Sequence, residues 1–225
     1  MLLNTRGPKH GRRLLLSSVI RSTALYAVPS WIKGMETRSY RRSLESTHRL
    51  RAIRVCSAFR TISDDAALVI AGLLPIDEYA AIASDSFTAS RQTNSTTTDQ
   101  QSGLEHRRAW QSSLRRWQER KHGAVNFYLT QLLSGHGCFS SYLKRFNHDE
   151  SDECTWCGAG IVEDASHVLQ HCPRFDVERC RLQNVMGELV TSRNLIRRMT
   201  ADPDVWEAVS AFAVRVTKVL RKLER

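Results

Sequence analysis

The chain has 225 residues, 41% hydrophobic and 25% charged, which is long enough for a sizeable core and ordinary for a globular protein. Its net charge of +10 is unevenly placed: residues 1–60 hold 13 Lys and Arg against 2 Asp and Glu, whereas residues 61–225 hold 20 against 21. The first quarter therefore carries +11 and the remainder −1, an asymmetry that favours a polyanionic partner, RNA or DNA, over a merely solvated basic face.

From the N-terminus, Leu15, Val19, Ala24, Leu25 and Val28 recur among Arg12, Arg13 and Arg21, predicting a helix over 12–28 that ends before Pro29. The apolar run Leu14–Ile20 stops at Arg21, and Tyr26-Ala27-Val28-Pro29 is a poor cleavage context, so no signal peptide is expected. No run reaches the ~18–20 apolar residues of a membrane span. A longer helix is predicted over 36–59. Its broken stripe is Tyr40, Leu44, Leu50, Ile53, Val55 and Cys56, and its Arg-studded surface is Arg38, Arg41, Arg42, Arg49, Arg51 and Arg54, positions suited to tracking a nucleic-acid backbone.

Ser63 reads as the N-cap of the next helix, with Asp64 and Asp65 at the positive end of its dipole and Gly72 as its stop. Adjacent aspartates also hold the metal ions of polymerases, but here they open a helix, which favours the cap. Another helix runs from Pro75-Ile76 to about Ala89. Residues 92–103 contain no apolar residue and read as a polar linker. Trp110, Leu114 and Trp117 then fall at i, i+4 and i+7 among arginines; this pattern suits a buried stripe better than a base-stacking face. Residues 125–133 are expected to be helical and closed at Ser134-Gly135, as are residues 174–191. Asp202 caps a last helix with Pro203 at its first position, and Val205, Val209, Phe212, Val216, Val219, Leu220 and Leu223 form its core stripe.

Between these helices lies the pattern with the most chemistry. Cys154, Cys157, His167 and Cys172 form Cys-x2-Cys-x9-His-x4-Cys, four soft or borderline ligands within nineteen residues, the right number for one tetrahedral zinc. Gly158 and Gly160 allow left-handed backbone after the Cys-x2-Cys turn. His167 and Cys172 come from a short helix that stops before Pro173, where His171 is an alternative ligand. A reduced intracellular chain, nuclear or cytoplasmic, would use such cysteines for metal rather than disulfides. With four protein ligands the zinc would be structural, leaving no site open for water.

Leu25–Trp31, Arg51–Ser63, Ala71–Ile76, Leu129–Phe139 and the run from Cys154 to Cys172 ending Cys-Pro-Arg-Phe resemble the C-terminal region of jockey-like non-LTR retrotransposon reverse transcriptases. The resemblance spans roughly residues 11–190. It implies a mainly α fold: a basic thumb-like helical region (1–91), the polar linker (92–103), a helical connector (104–146), a zinc-binding element (147–175) and C-terminal helices (176–225). It further implies a nucleic-acid-binding fragment of an RNA-directed DNA polymerase, with the palm and its catalytic carboxylates upstream of this chain. The ligands it implies are the same four, and Trp156 is the expected nucleic-acid contact beside them. The expected partners are RNA or DNA and the rest of such an enzyme, with no membrane and no small-molecule substrate. The alternatives are a working polymerase or nuclease component and a decayed copy.

Overall fold

A computed structural model describes residues 7–89, 116–158 and 160–223. The predicted polar linker at 92–103 and the stripe positions Trp110 and Leu114 lie outside these residues. The fold is mainly α, as expected. Among the described residues no strand forms, and one isolated antiparallel bridge pairs Glu153 with Val162. No single described helix is long and apolar enough to cross a membrane. The chain divides into two compact units.

Among the described residues, the first unit comprises 7–56 and those from Ser63 to Glu119. It contains α1 (His10–Ala24), α2 (Val28–Trp31), a 3-10 turn (Ile32–Glu36), α3 (Arg38–Cys56), α4 (Asp64–Ala71) and α5 (Ile76–Ala89). The helix expected over 12–28 is split: α1 stops at Ala24 and Ala27 is left-handed at φ 52°. Pro29 then sits in the first turn of α2, where a missing N–H costs nothing. Of the predicted α1 stripe, Leu15 is 66% exposed and Val19 is exposed, whereas Val28 is buried.

α3 also differs from its predicted stripe. Tyr40 and Leu50 face solvent, and the buried set is His48, Arg51, Ala52, Ile53, Val55 and Cys56. The inward face thus includes a histidine and an arginine. His48 Nε2–H donates to the Leu74 carbonyl at 2.7 Å. Burial, and then the neighbouring Arg51 charge, push the His48 imidazole down to about 4, so it stays neutral at ordinary pH. Arg51 lies 5.7 Å from the Tyr79 ring centre.

The predicted cap of α4 is present. Ser63 Oγ accepts from the Ala66 N–H, Asp64 and Asp65 occupy the first turn, and Gly72 closes the helix at φ 69°. Asp64 is ion-paired to Arg49. Trp117 is buried and donates to the Ile70 carbonyl at 3.1 Å, in line with the core reading of that aromatic.

The second unit comprises Ser57–Ile62 and the chain from Arg120 onward. Its helices are α6 (Phe127–Ser134), α7 (Ser140–Arg145), α8 (Ala165–Gln170), a 3-10 turn (Pro173–Phe175), α9 (Asp176–Met186), α10 (Ser192–Ala201) and α11 (Pro203–Leu223). α11 packs against α6, α9 and α10. Its buried stripe is Val205, Val209, Phe212, Val216 and Leu220, with Trp206 and Ala213 beside them. The helix expected over 174–191 ends at Met186, because Gly187 adopts the left-handed cap. α10 follows with a capping box between Thr191 and Asn194.

Trp206 organises the floor of this core. Arg120 lies 4.4 Å from its ring centre, and His122 meets it edge-on while His122 Nε2 bonds the Met199 carbonyl at 2.9 Å. Gly123 passes directly over the indole at φ 73°, where an added Cβ would lie 2.3 Å from the ring. Gly135 has the same backbone sign at φ 67° but nothing within 4 Å. Gly135→Ala should therefore cost about 1 kcal/mol of backbone strain, and Gly123→Ala about 3 kcal/mol or more because it adds overpacking. Chemical denaturation of the full chain checks the ranking; equal costs would contradict it.

Candidate metal centre

The site begins in a loop that the backbone folds tightly. Cys154 N–H donates to the Ile161 carbonyl at 2.7 Å, and Glu163 N–H donates to the Asp152 carbonyl at 2.8 Å. These bonds flank the Glu153–Val162 bridge. Inside the loop Gly158 N–H returns to the Cys154 carbonyl at 3.0 Å. Gly158 and Gly160 take φ of 89° and 86°, the left-handed region where a side chain is strained. The Cys-x2-Cys turn is therefore built as the spacing predicts, with both sulfurs on one side.

The other two donors come from α8. Asp164 Oδ1 accepts from the His167 N–H at 2.7 Å and caps this helix, so the imidazole leaves its first turn. Beyond the helix, Cys172 N–H donates to the His167 carbonyl at 2.8 Å, which folds Cys172 back toward His167. Glu163, just before the cap, is buried; it accepts from Ser140 Oγ at 3.1 Å, and its carbonyl accepts from Ser141 N–H at 3.1 Å. The loop is thereby anchored to the start of α7.

Together these elements bring Cys154, Cys157, His167 and Cys172 into one group whose donor atoms lie within 4.8 Å of one another. Cys172 Sγ is 3.8 Å from both Cys154 Sγ and Cys157 Sγ, and Cys157 Sγ is 3.5 Å from His167 Nε2. A disulfide would need about 2.05 Å. A tetrahedron with metal–sulfur bonds of about 2.3 Å and a metal–nitrogen bond of about 2.05 Å has edges of about 3.8 and 3.5 Å. The donor set fits a metal ion and does not fit disulfides; His171 lies outside it.

The electrostatics also call for a cation. Burial, aided by the Cys154 charge, pushes the Cys172 thiol up to about 12. Desolvation likewise raises Cys157, and burial lowers His167, which favours the neutral imidazole that can donate a lone pair. Crowded sulfurs thus resist ionising together until a positive ion joins them.

The remaining predicted residues are scattered. Trp156 is 63% exposed, with the Arg174 guanidinium 5.7 Å from its ring centre. It borders an open groove with Ile161, His171 and Pro173 beside the ligands. On α3, at about 100° per residue, Arg38, Arg42 and Arg49 share one face and Arg41 adjoins it, whereas Arg54 lies on another side. Arg38, Arg42 and Arg54 are exposed; Arg41 pairs with Glu45 at 3.0 Å and Asp77 at 3.2 Å; Arg49 pairs with Asp64. Arg51, only 4% exposed, is not on the basic surface, since the last two turns of α3 are buried nearly all round.

Sequence reasoning missed the supports of the site. Asp164 three residues before His167 is a legible capping signal; Glu163 and Arg179 act through tertiary contacts and carry no local signature. No protein-family model, curated protein or solved structure matches this chain.

Because Cys157 and Cys172 are held protonated without metal, a divalent ion should displace about two or more protons on binding at neutral pH. Apparent affinity should rise with pH by about a hundredfold per unit. Calorimetry in two buffers of different ionisation enthalpy measures this directly. Affinity unchanged from about pH 6 to about pH 8 would contradict the thiolate assignment.

Proposed function

We propose that this chain is a nucleic-acid-binding element ordered by one structural zinc ion, equivalent to the C-terminal region of a jockey-like retrotransposon reverse transcriptase. The observation that carries the zinc reading is that three sulfurs and one imidazole nitrogen lie within 4.8 Å of one another, with the Cys154–Cys172, Cys157–Cys172 and Cys157–His167 separations of 3.8, 3.8 and 3.5 Å matching edges of a zinc tetrahedron. Three thiolates and a histidine favour zinc over the hard, oxygen-seeking calcium and magnesium. Four protein donors make the ion a staple rather than a reaction centre.

The nucleic-acid reading rests on charge. The +11 of residues 1–60 includes Arg38 and Arg42, exposed on one face of α3, which can follow a phosphate backbone; Arg49 on the same face is paired with Asp64. The ligand loop is flanked instead by Asp149, Glu150, Asp152 and Glu153. Trp156, exposed next to Arg174, offers a stacking face that needs no local positive charge. In this reading α3 supplies the electrostatic grip and Trp156 a contact to an unpaired base. Asp64 and Asp65 remain caps of α4 and take no part in chemistry.

Binding of a single-stranded RNA to the full chain, followed by anisotropy across a salt series, tests this. Arg38→Gln with Arg42→Gln should weaken binding and lower the log–log salt slope by about 1.4. Arg51→Gln should leave the slope alone and reduce stability instead. In the same preparation Cys157→Ser should lose the bound zinc. A slope that stays flat in the unmodified chain removes the nucleic-acid claim, and full zinc retention in Cys157→Ser removes the zinc claim.

A further inference from the structure

Arg179 is only 7% exposed although it is a full positive charge, and its partners are nearly all main-chain oxygens of the ligand segment. From α9 its Nε donates to the Leu169 carbonyl at 2.9 Å, and its Nη2 donates to the Cys172 carbonyl at 2.6 Å and the Val168 carbonyl at 3.3 Å. Nη1 is held by Asp176 one turn earlier, which fixes the plane of the guanidinium. Val168 and Leu169 belong to the short helix α8 that bears His167, and Cys172 is itself a donor in the metal cluster.

A six-residue helix leaves most of its carbonyls without internal partners. Buried carbonyls in that position must be satisfied from elsewhere. The planar five-donor fork of an arginine can serve several at once; an ammonium cannot match that geometry. A metal held by three thiolates and one imidazole has a net charge of −1 for a divalent ion, and a buried guanidinium next to it offsets that charge in a poorly screened setting.

We propose that Arg179 is a positioning residue of the metal centre: it locks the end of α8 and the Cys172 backbone so that His167 and Cys172 meet one ion, and it balances the charge of the thiolate cluster. The inference rests on the metal-centre reading and adds a residue from outside the ligand segment. It predicts that the site is assembled by α9 as well as by its own loop, so metal affinity depends on a contact made seven residues beyond the last ligand. Residues that hold ligands from behind commonly change metal affinity by 10–100-fold.

The test is a zinc-chelator competition on the full chain, with cobalt absorption as a second readout. The unmodified chain must first give the absorption of tetrahedral cobalt bound by thiolates; its failure to do so sinks the metal reading itself. Given that spectrum, Arg179→Met should bind zinc about 10–100-fold more weakly and lose it faster to chelator. Arg179→Lys, which keeps the charge but not the fork, should fall between. Leu182→Ala, a core truncation on the same helix, controls for general destabilisation and should leave the affinity of the folded protein close to the original. Equal affinity in Arg179→Met and the unmodified chain overturns the inference, as does an equal loss in Leu182→Ala. Should Arg179→Met not fold, Arg179→Lys decides: wild-type affinity overturns the proposal, and a measurable loss with an altered cobalt spectrum supports it.

Discussion

Three sulfurs and one imidazole nitrogen within 4.8 Å of one another are the constraint on which the middle of the C-terminal unit depends. Residues 146–158 and 160–164 have almost no regular structure of their own; one bridge and a few turn bonds hold the loop. A loop of that kind has too few hydrogen bonds and too little buried apolar area to offset the entropy of ordering it. What it has is four convergent donors, and the thiols, pushed upward by burial and by one another, do not ionise together without a cation. The loop conformation and the metal are thus one problem with one solution, as in small metal-stapled elements generally.

Around this point the unit supplies rigid walls. Asp164 starts α8 at the residue that aims His167, Glu163 ties the loop to α7, and Arg179 reaches over from α9 to the end of α8. α9 is in turn held by α11, whose apolar face is the main core of the unit. Helix packing therefore backs the ligand segment through α9 and α11. The arginines of α3 belong to the other unit.

Elements whose signals are local were legible in the sequence. Ser63 with Gly72, the stop at Gly135, and Asp202 before Pro203 mark helix ends by capping chemistry that needs no tertiary partner, whereas Asn126, read as part of its helix, is in fact the cap. The ligand spacing was legible for the same reason. Other features depended on partners distant in sequence. α3 buries His48 and Arg51 because Leu74 and Tyr79 meet them, so a purely apolar stripe selected Tyr40 and Leu50 wrongly. α10 was overlooked although Thr191 and Asn194 form a capping box, since Asn replaces the usual Glu or Gln. No local signal in the sequence marks Arg179, and only the fold places it against carbonyls.

A single metal ion at this site would be surrounded by these four side chains and no others. X-ray absorption at the zinc edge of the purified chain measures this most directly. The expected result is one zinc per chain with three sulfur neighbours at about 2.3 Å and one nitrogen at about 2.0–2.1 Å. A sub-stoichiometric metal content, or a shell dominated by oxygen and nitrogen, would contradict it.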